Sequence, residues 1–245
     1  MNNFDDHINR YLHQHIFEEV DNKYKLGIFI GKFKPPHAGH YNTLMGVLGD
    51  GSDVFSTRYP QDIPDCACDE AIVIISDKAK VEDLNRDGRM IEVTADVSKQ
   101  LWELYVENTS GADKVEFKIG SPVLGAIEVV EQIRENGGYK GIPVEDIHIR
   151  LFVGEEEDDE GEISVAGTER EMKRYNYIIK NQDKLLGGED KIKVCVMARS
   201  TSATAVREKI ARIAIDNEDL ETIKDNIPSH VDLGRFWDIA KQVVI

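Results

Sequence analysis

The sequence predicts an α/β fold: a doubly wound parallel sheet of five strands with helices on both faces. Five short apolar runs, rich in β-branched residues, have the composition of buried parallel strands, and helical patterns alternate with them. The predicted strands are residues 25–31, 71–77, 114–120, 146–154 and 191–198. Parallel strands need long crossover connections, so this alternation favours one sheet wound in both directions. Ligands of such sheets bind at the carboxyl ends of the strands.

The helices are predicted from apolar residues at helical spacing. Ser121 and Pro122 suit the start of one of them, and Gly137 suits its end. Predicted helices cover residues 4–20, the segment up to about Leu48, 96–108, 122–136, 167–180, 202–214 and 233–244, with a loop or insertion at 49–69. We expect three regions: an N-terminal helical extension at 1–24, a main domain at 25–215, and a C-terminal helical segment at 216–245 packed on that domain.

Composition and charge limit the classes of function and partner that the chain can have. The chain has 30 Lys and Arg residues against 46 Asp and Glu residues, a formal net charge of −16. Such a field repels a nucleic-acid backbone, so we expect a small-molecule partner, held by a few local cations if it is anionic. No run approaches the roughly 20 apolar residues that span a bilayer, and the polar start lacks a secretion signal. This predicts a cytoplasmic protein without membrane contact. The sequence does not settle whether the chain forms a homo-oligomer.

Cysteine and histidine spacing does not predict a metal site. Cys66 and Cys68 lack a second pair at zinc spacing, and no carboxylate or cysteine completes a ligand set for the histidines near the start of the chain. Three cysteines are too few for a disulfide framework. We expect free thiols at Cys66, Cys68 and Cys195.

The strongest motif is GKFKPPHAGH at residues 31–40, which follows the first strand and opens a helix. Gly31 allows a sharp turn, and Gly39 allows the backbone to approach a ligand closely. His37 and His40 lie three residues apart, on one side of a first helical turn. Two imidazoles and the free N–H groups of the helix then converge on one point, which suits a phosphate group whose negative charge grows during a reaction. The alternative is a pair of helix-start histidines with ordinary hydrogen bonds.

This loop resembles the His-x-Gly-His nucleotidyltransferase superfamily, which has a Rossmann-like, cytidylyltransferase-like fold. It is most similar to the nicotinamide-nucleotide adenylyltransferase branch, whose archaeal members carry Gly-Arg-Phe-Gln-Pro-Phe-His-x-Gly-His. This chain departs from that form at Lys32, Lys34 and Pro36. Lys32 keeps the positive charge of arginine but loses its fork geometry. The resemblance implies a nucleotide-binding loop that includes Gly31, Phe33, Lys34 and Gly39.

A second motif, STSATAVR at 200–207, follows the last predicted strand and starts a helix. Ser202 can cap that helix, Thr204 adds a hydroxyl group, and Arg207 can reach phosphate oxygens beside the helix N-terminus. The segment resembles the second signature of the same superfamily, Ile-Ser-x-Thr-x-x-Arg, with Thr201 in place of isoleucine. Alone, it is more typical of a simple helix cap. After the first motif, in the expected order, it predicts a cradle for the β- and γ-phosphates.

Lys78, Lys80, Gly154 and an acidic run also follow strands at this edge of the sheet. Lys78 and Lys80 follow the second strand. In one interpretation they bind the acceptor's phosphate or the triphosphate, and in the other they are solvated surface lysines. Gly154 ends the fourth strand, where relatives place backbone against the nucleotide base. The acidic run at 155–160 follows it. We expect that run to be a solvated loop, because magnesium in such sites is carried mainly by substrate phosphates and water.

The resemblance implies direct in-line attack of an acceptor phosphate on the α-phosphorus of a nucleoside triphosphate, with release of pyrophosphate. It assigns His37 and His40 to the α-phosphate and its leaving group, and Lys32 and Arg207 to the triphosphate, as catalytic residues. ATP with Mg²⁺ is the favoured donor, and nicotinamide mononucleotide is the first acceptor to test. Cytidylyl transfer, phosphopantetheine adenylyl transfer, other phosphorylated acceptors, a non-catalytic nucleotide sensor and an acidic interaction protein are the alternatives.

Overall fold

A computed structural model describes residues 23–49, 66–86, 89–157, 163–198 and 203–244. Its strands, in chain order, are β1 (Tyr24–Gly31), β2 (Glu70–Ser76), β3 (Lys80–Arg86), β4 (Arg89–Val93), β5 (Val115–Gly120), β6 (Gly138–Tyr139), β7 (Ile142–Pro143), β8 (Ile147–Gly154), β9 (Glu156–Glu157), β10 (Ile163–Ser164) and β11 (Ile192–Met197). Five of them form a parallel sheet in the order β11-β8-β1-β2-β5. The predicted five-stranded parallel sheet is confirmed.

Helices cover both faces of the sheet, as predicted. They are α1 (Ala38–Val47), α2 (Ala95–Val106), α3 (Pro122–Glu135), α4 (Val165–Lys173), α5 (Asn176–Lys180), α6 (Gln182–Leu186), α7 (Ala203–Asp216) and α8 (Leu233–Ala240). One core lies between the sheet and α1, α2, α7 and α8, and the other lies between the sheet and α3, α5 and α6. Strand residues alternate between these cores, because successive side chains of a strand point to opposite faces. Both faces of the sheet are therefore buried.

The winding places a binding edge at the centre of the sheet. From β1 the chain proceeds outward to β2 and β5, and then returns to the other side of β1 as β8 and β11. The direction of winding thus reverses between β1 and β8. At such a reversal the loops that follow the neighbouring strands separate and leave a crevice at the carboxyl edge. The His-x-Gly-His loop directly follows β1 and lies at this crevice.

Local signals set several element boundaries. The Thr94 hydroxyl accepts a hydrogen bond from the Val97 N–H at 3.2 Å and caps α2. Pro122 stands in the first turn of α3, and Gly137, with φ of 67°, lies just past its end. These are the positions where a hydroxyl cap, an N-terminal proline and a C-terminal glycine stabilise a helix.

The structure differs from the predicted elements at three places. The sequence predicts no element where β3 and β4 form an antiparallel hairpin, because the only apolar residues of β3, Val81 and Leu84, do not alternate with polar ones. The helix predicted at 167–180 is divided into α4 and α5 around the buried Tyr175. The terminal helix predicted at 233–244 continues after Ala240 as a 3-10 turn. Residues 1–22 of the predicted N-terminal extension and 50–65 of the predicted insertion lie outside the described residues.

The prediction of three free thiols is wrong for two of the cysteines. Cys66 and Cys195 form a disulfide across 129 positions of sequence, and both are completely buried in the core that contains α1 and α7. Cys68 is a buried free thiol, and loss of water raises its pKa to about 12. Spacing along the chain could not reveal the bond. In the sheet β8 and β1 lie between β11 and β2, and the two cysteines meet only through the packing of the core.

Candidate active site at the carboxyl edge of the sheet

Close packing fixes the turn that follows β1. A Cβ atom at Gly31 would lie 2.7 Å from the ring of Phe33, so no larger residue fits there without displacing that ring. Phe33 has φ of 47° and a buried ring that meets Trp102 edge to face, with centroids 5.4 Å apart. In this conformation the Phe33 ring packs between the loop and Trp102 of α2. Its predicted contact with a nucleotide stays a prediction.

The turn brings the two motif histidines together. His37 is the N-cap of α1, and its Nδ1 accepts a hydrogen bond from the His40 backbone N–H at 3.4 Å. The two rings stack with centroids 3.7 Å apart, and the Phe33 ring meets His40 edge to face at 5.0 Å. His37 is 2% exposed, whereas His40 is partly exposed. The imidazoles thus form one unit at the N-terminus of a ten-residue helix, where the helix dipole favours negative charge.

A second helix anchors the same loop. The Tyr105 hydroxyl of α2 donates a hydrogen bond to the Pro36 carbonyl oxygen at 3.2 Å. Burial raises the pKa of Tyr105, so the hydroxyl remains a donor. Gly39 is buried within α1. The loop is therefore held before any ligand binds, which is the condition for a preorganised charge-stabilising site.

Arg207 connects the second motif to the first. Its Nη1 donates to the Lys34 carbonyl oxygen at 2.7 Å, and its Nη2 donates to the Thr204 hydroxyl at 3.0 Å. Its Nε donates to the Glu82 carboxylate at 2.7 Å. Arg207 is 7% exposed. Three of the five guanidinium N–H groups are thus used within the protein, and the arginine fixes the relative positions of α7, β3 and the His-x-Gly-His loop.

Sequence reasoning missed Glu82. This carboxylate lies on β3, in the hairpin that the sequence pattern did not predict. The feature that could have indicated Glu82 is a negative charge soon after β2, at the same edge of the sheet where Arg207 is expected. Without the hairpin, nothing in the sequence paired the two residues, which are 125 positions apart.

Lys34 has an unusual environment for a lysine, because lysine side chains are rarely buried. The side chain is 3% exposed, and among the described residues its Nζ has no hydrogen-bond partner. Loss of water lowers its pKa from 10.5 to about 8, and the carboxylates of Asp77 and Asp96 oppose that shift. A buried ammonium group of this kind destabilises the ligand-free protein.

We expect Lys34→Met to raise the free energy of unfolding by roughly 2 kcal/mol at pH 7, because methionine fills similar space without a buried charge. The folded pKa lies below the unfolded value, so between pH 8 and 10.5 the unfolded wild type binds more protons than the folded protein. Wild-type stability should rise with pH across that window, and the advantage of the variant should shrink. Urea unfolding of both proteins at several pH values measures this. A variant less stable than wild type at pH 7 would contradict it.

The remaining predicted residues are more exposed. Lys32, Lys78 and Lys80 are exposed at the carboxyl edge of the sheet. Gly154 is exposed at the end of β8, and a Cβ there would have no atom within 4 Å from described residues other than its chain neighbours. The structure thus places these four residues at the expected edge of the sheet. Ser202 lies outside the described residues.

The acidic run is described in part. The Glu155 backbone N–H donates to the Met197 carbonyl oxygen at 3.0 Å, and Glu156 and Glu157 form β9, while 158–160 lie outside the described residues. In the described part of the chain, no group of three or more His, Cys, Asp or Glu residues is arranged to hold a metal ion. No described helix is long and apolar enough to cross a membrane.

Comparison with known proteins yields similar solved structures only. No protein-family model matches the chain, and no curated protein matches it. Plasmodium falciparum nicotinic acid mononucleotide adenylyltransferase complexed with NaAD is 11% identical, with a TM-score of 0.48, and the match covers 89% of this chain and 95% of that one. A putative nicotinate-nucleotide adenylyltransferase from Vibrio parahaemolyticus is 13% identical, with a TM-score of 0.44 and coverage of 89% and 96%.

A third similar structure is a bifunctional NMN adenylyltransferase/ADP ribose pyrophosphatase from Francisella tularensis, complexed with AMP and a manganese ion. It is 14% identical, with a TM-score of 0.45, and the match covers 90% of this chain and 52% of that one. Two of these three proteins are thus adenylyltransferases, and the Vibrio protein is a putative one.

Proposed function

We propose that this chain is a nucleotidyltransferase that transfers AMP from Mg·ATP to a small phosphorylated acceptor and releases pyrophosphate. The observation that carries the proposal is the 2.7 Å hydrogen bond from Arg207 to the Lys34 carbonyl oxygen, which joins two motifs 173 positions apart. The first motif predicts a phosphate-binding helix start from its own residues, and the second predicts one because it follows the first in the expected order. Their convergence at one edge of the sheet gives a single site for a chain of phosphates.

In the proposed reaction an oxygen of the acceptor's phosphate attacks the α-phosphorus of ATP. A bond forms between that oxygen and the α-phosphorus, the bond from the α-phosphorus to the bridging oxygen breaks, and its electron pair leaves with pyrophosphate. Charge grows on the α-phosphate oxygens and on the leaving group. His37 and His40 stabilise that charge, while Lys32, Arg207, Ser202 and Thr204 hold the outer phosphates.

Magnesium enters as part of the substrate, bound to phosphate oxygens and water. Nicotinamide mononucleotide is the first acceptor to test. A cytidylyl donor and a phosphopantetheine acceptor are the runners-up, because acceptor pockets are built from loops and this first loop differs from the archaeal form at three positions.

A screen of nucleoside triphosphates against phosphorylated acceptors, with enzymatic detection of pyrophosphate, tests the proposal. We expect magnesium-dependent release that requires both ATP and an acceptor, and at least a hundredfold less release with His40→Ala. ATP binding without release across the whole panel, in folded protein, would show a nucleotide-binding sensor instead. Release with CTP in preference to ATP would show a cytidylyltransferase.

A further inference from the structure

Lys34 has a buried cationic group for which the proposed reaction, as described above, gives no role. Its Nζ is enclosed, with the whole residue 3% exposed, and it has no hydrogen-bond partner among the described residues. Buried charges in folded proteins are normally paired, because an isolated one is costly. A group of this kind suggests a partner that arrives from outside the chain.

The placement of this ammonium group is fixed by the fold. Its residue lies between the end of β1 and the histidine pair, and its backbone is held by Arg207. The next residue is Pro35, which has no N–H and a fixed φ angle. The backbone of Lys34 is therefore held by the hydrogen bond from Arg207 and stiffened by Pro35.

The carbonyl oxygen and the ammonium group of Lys34 have different neighbours. Its carbonyl oxygen meets α7, the helix of the second phosphate motif. Its ammonium group lies within the electrostatic reach of Asp77, just after β2, and Asp96, in the first turn of α2. The ammonium group thus has carboxylates near β2 and α2 as its charged neighbours, whereas the carbonyl oxygen of the same residue is bound by Arg207 of the second phosphate motif.

We propose that the Lys34 ammonium group binds the acceptor's phosphate and holds it for attack on the α-phosphorus. The inference rests on the proposed function, which places the triphosphate against α7. It assigns the acceptor's anion to a buried lysine, whereas Lys78 and Lys80 are exposed. An acceptor without a phosphate, such as the free nucleoside or alcohol, leaves this ammonium group without a partner and binds poorly.

Steady-state kinetics of Lys34→Met test the assignment, with nicotinamide mononucleotide and Mg·ATP as the varied substrates. We expect the KM for the acceptor to rise about ten- to a hundredfold, the loss typical of a charge-assisted hydrogen bond, while the KM for ATP changes less than about threefold. Lys99→Met is the matched control, because Lys99 is a partly exposed lysine on α2 that pairs with Glu103. It should leave both constants unchanged. An equal rise in both constants in Lys34→Met, or no change in the acceptor's, overturns the inference.

A second measurement needs no turnover and so separates this inference from the proposed function. In protein labelled with ¹³C at lysine Cε, the signal missing from Lys34→Met identifies Lys34, and its pH titration gives the pKa directly. Inorganic phosphate, the smallest probe that carries the acceptor's group, should raise that pKa, since an anion favours the charged amine. Asp77, Asp96 and Arg207 are present in both titrations, so only the added anion differs. An unchanged pKa overturns the inference even if the enzyme is active. A raised pKa without pyrophosphate release would show that Lys34 binds a phosphate group, but it would contradict the proposed function and the acceptor role that rests on it.

Discussion

His40→Ala should lower turnover by about a hundred- to a thousandfold while ATP affinity and thermal stability change little. A preorganised donor that meets charge only in the transition state contributes about 3 to 4 kcal/mol to the barrier. His40 suits that role, because it is partly exposed and stacked on His37 in the first turn of α1. His37→Ala should in addition weaken nucleotide binding and cost about 1 kcal/mol of stability, because His37 caps the helix.

Turnover per folded molecule, ATP affinity and melting temperature are measured on one preparation of each variant. His148→Ala is the matched control, since that histidine is at the start of β8, at the other end of the sheet. It should keep wild-type turnover. Near-normal turnover in His40→Ala, together with a lowered melting temperature, would make His40 a structural histidine and remove it from the chemistry.

Arg207→Met should both destabilise the protein and abolish most activity. The change removes three hydrogen bonds and leaves the partly buried Glu82 carboxylate without its guanidinium partner. Breaking such a pair costs about 3 kcal/mol. It also releases the carbonyl oxygen of Lys34, so we expect kcat/KM to fall a hundredfold or more in the molecules that remain folded.

Urea unfolding and kinetics on the same samples separate the two effects. Arg212→Met is the control, because Arg212 is an exposed arginine one and a half turns further along α7. Arg207→Lys keeps the charge but lacks the fork that reaches three acceptors, so it should recover only part of the stability. Full stability in Arg207→Met would contradict the role of this arginine as the link between the two motifs.

The sequence was sufficient for the sheet and for the position of the two motifs. The five strands are dense apolar runs, because both faces of a parallel sheet are buried, and that composition is visible without a structure. The histidine pair follows from spacing alone, since residues three apart lie on one side of a helical turn. The separate motifs could be placed at one edge because parallel strands share a carboxyl end.

Long-range contacts could not be read from the sequence. The ion pair between Glu82 and Arg207 joins the hairpin to a helix 125 positions away, and no sequence pattern indicates that these two residues are in contact. The disulfide between Cys66 and Cys195 depends on how β11 packs beside the rest of the sheet. The burial of Lys34 is equally a tertiary property, because a lysine in a loop after a strand is usually solvated.

The fate of the α-phosphate of ATP tests the central claim most directly. With ATP labelled at the α-phosphorus and an acceptor that supports pyrophosphate release, we expect the label to appear in a product that joins AMP to the acceptor, in equal amount to the pyrophosphate. Label found only in ADP or free AMP, with no adduct of the acceptor, would contradict nucleotidyl transfer and with it the role given to both motifs.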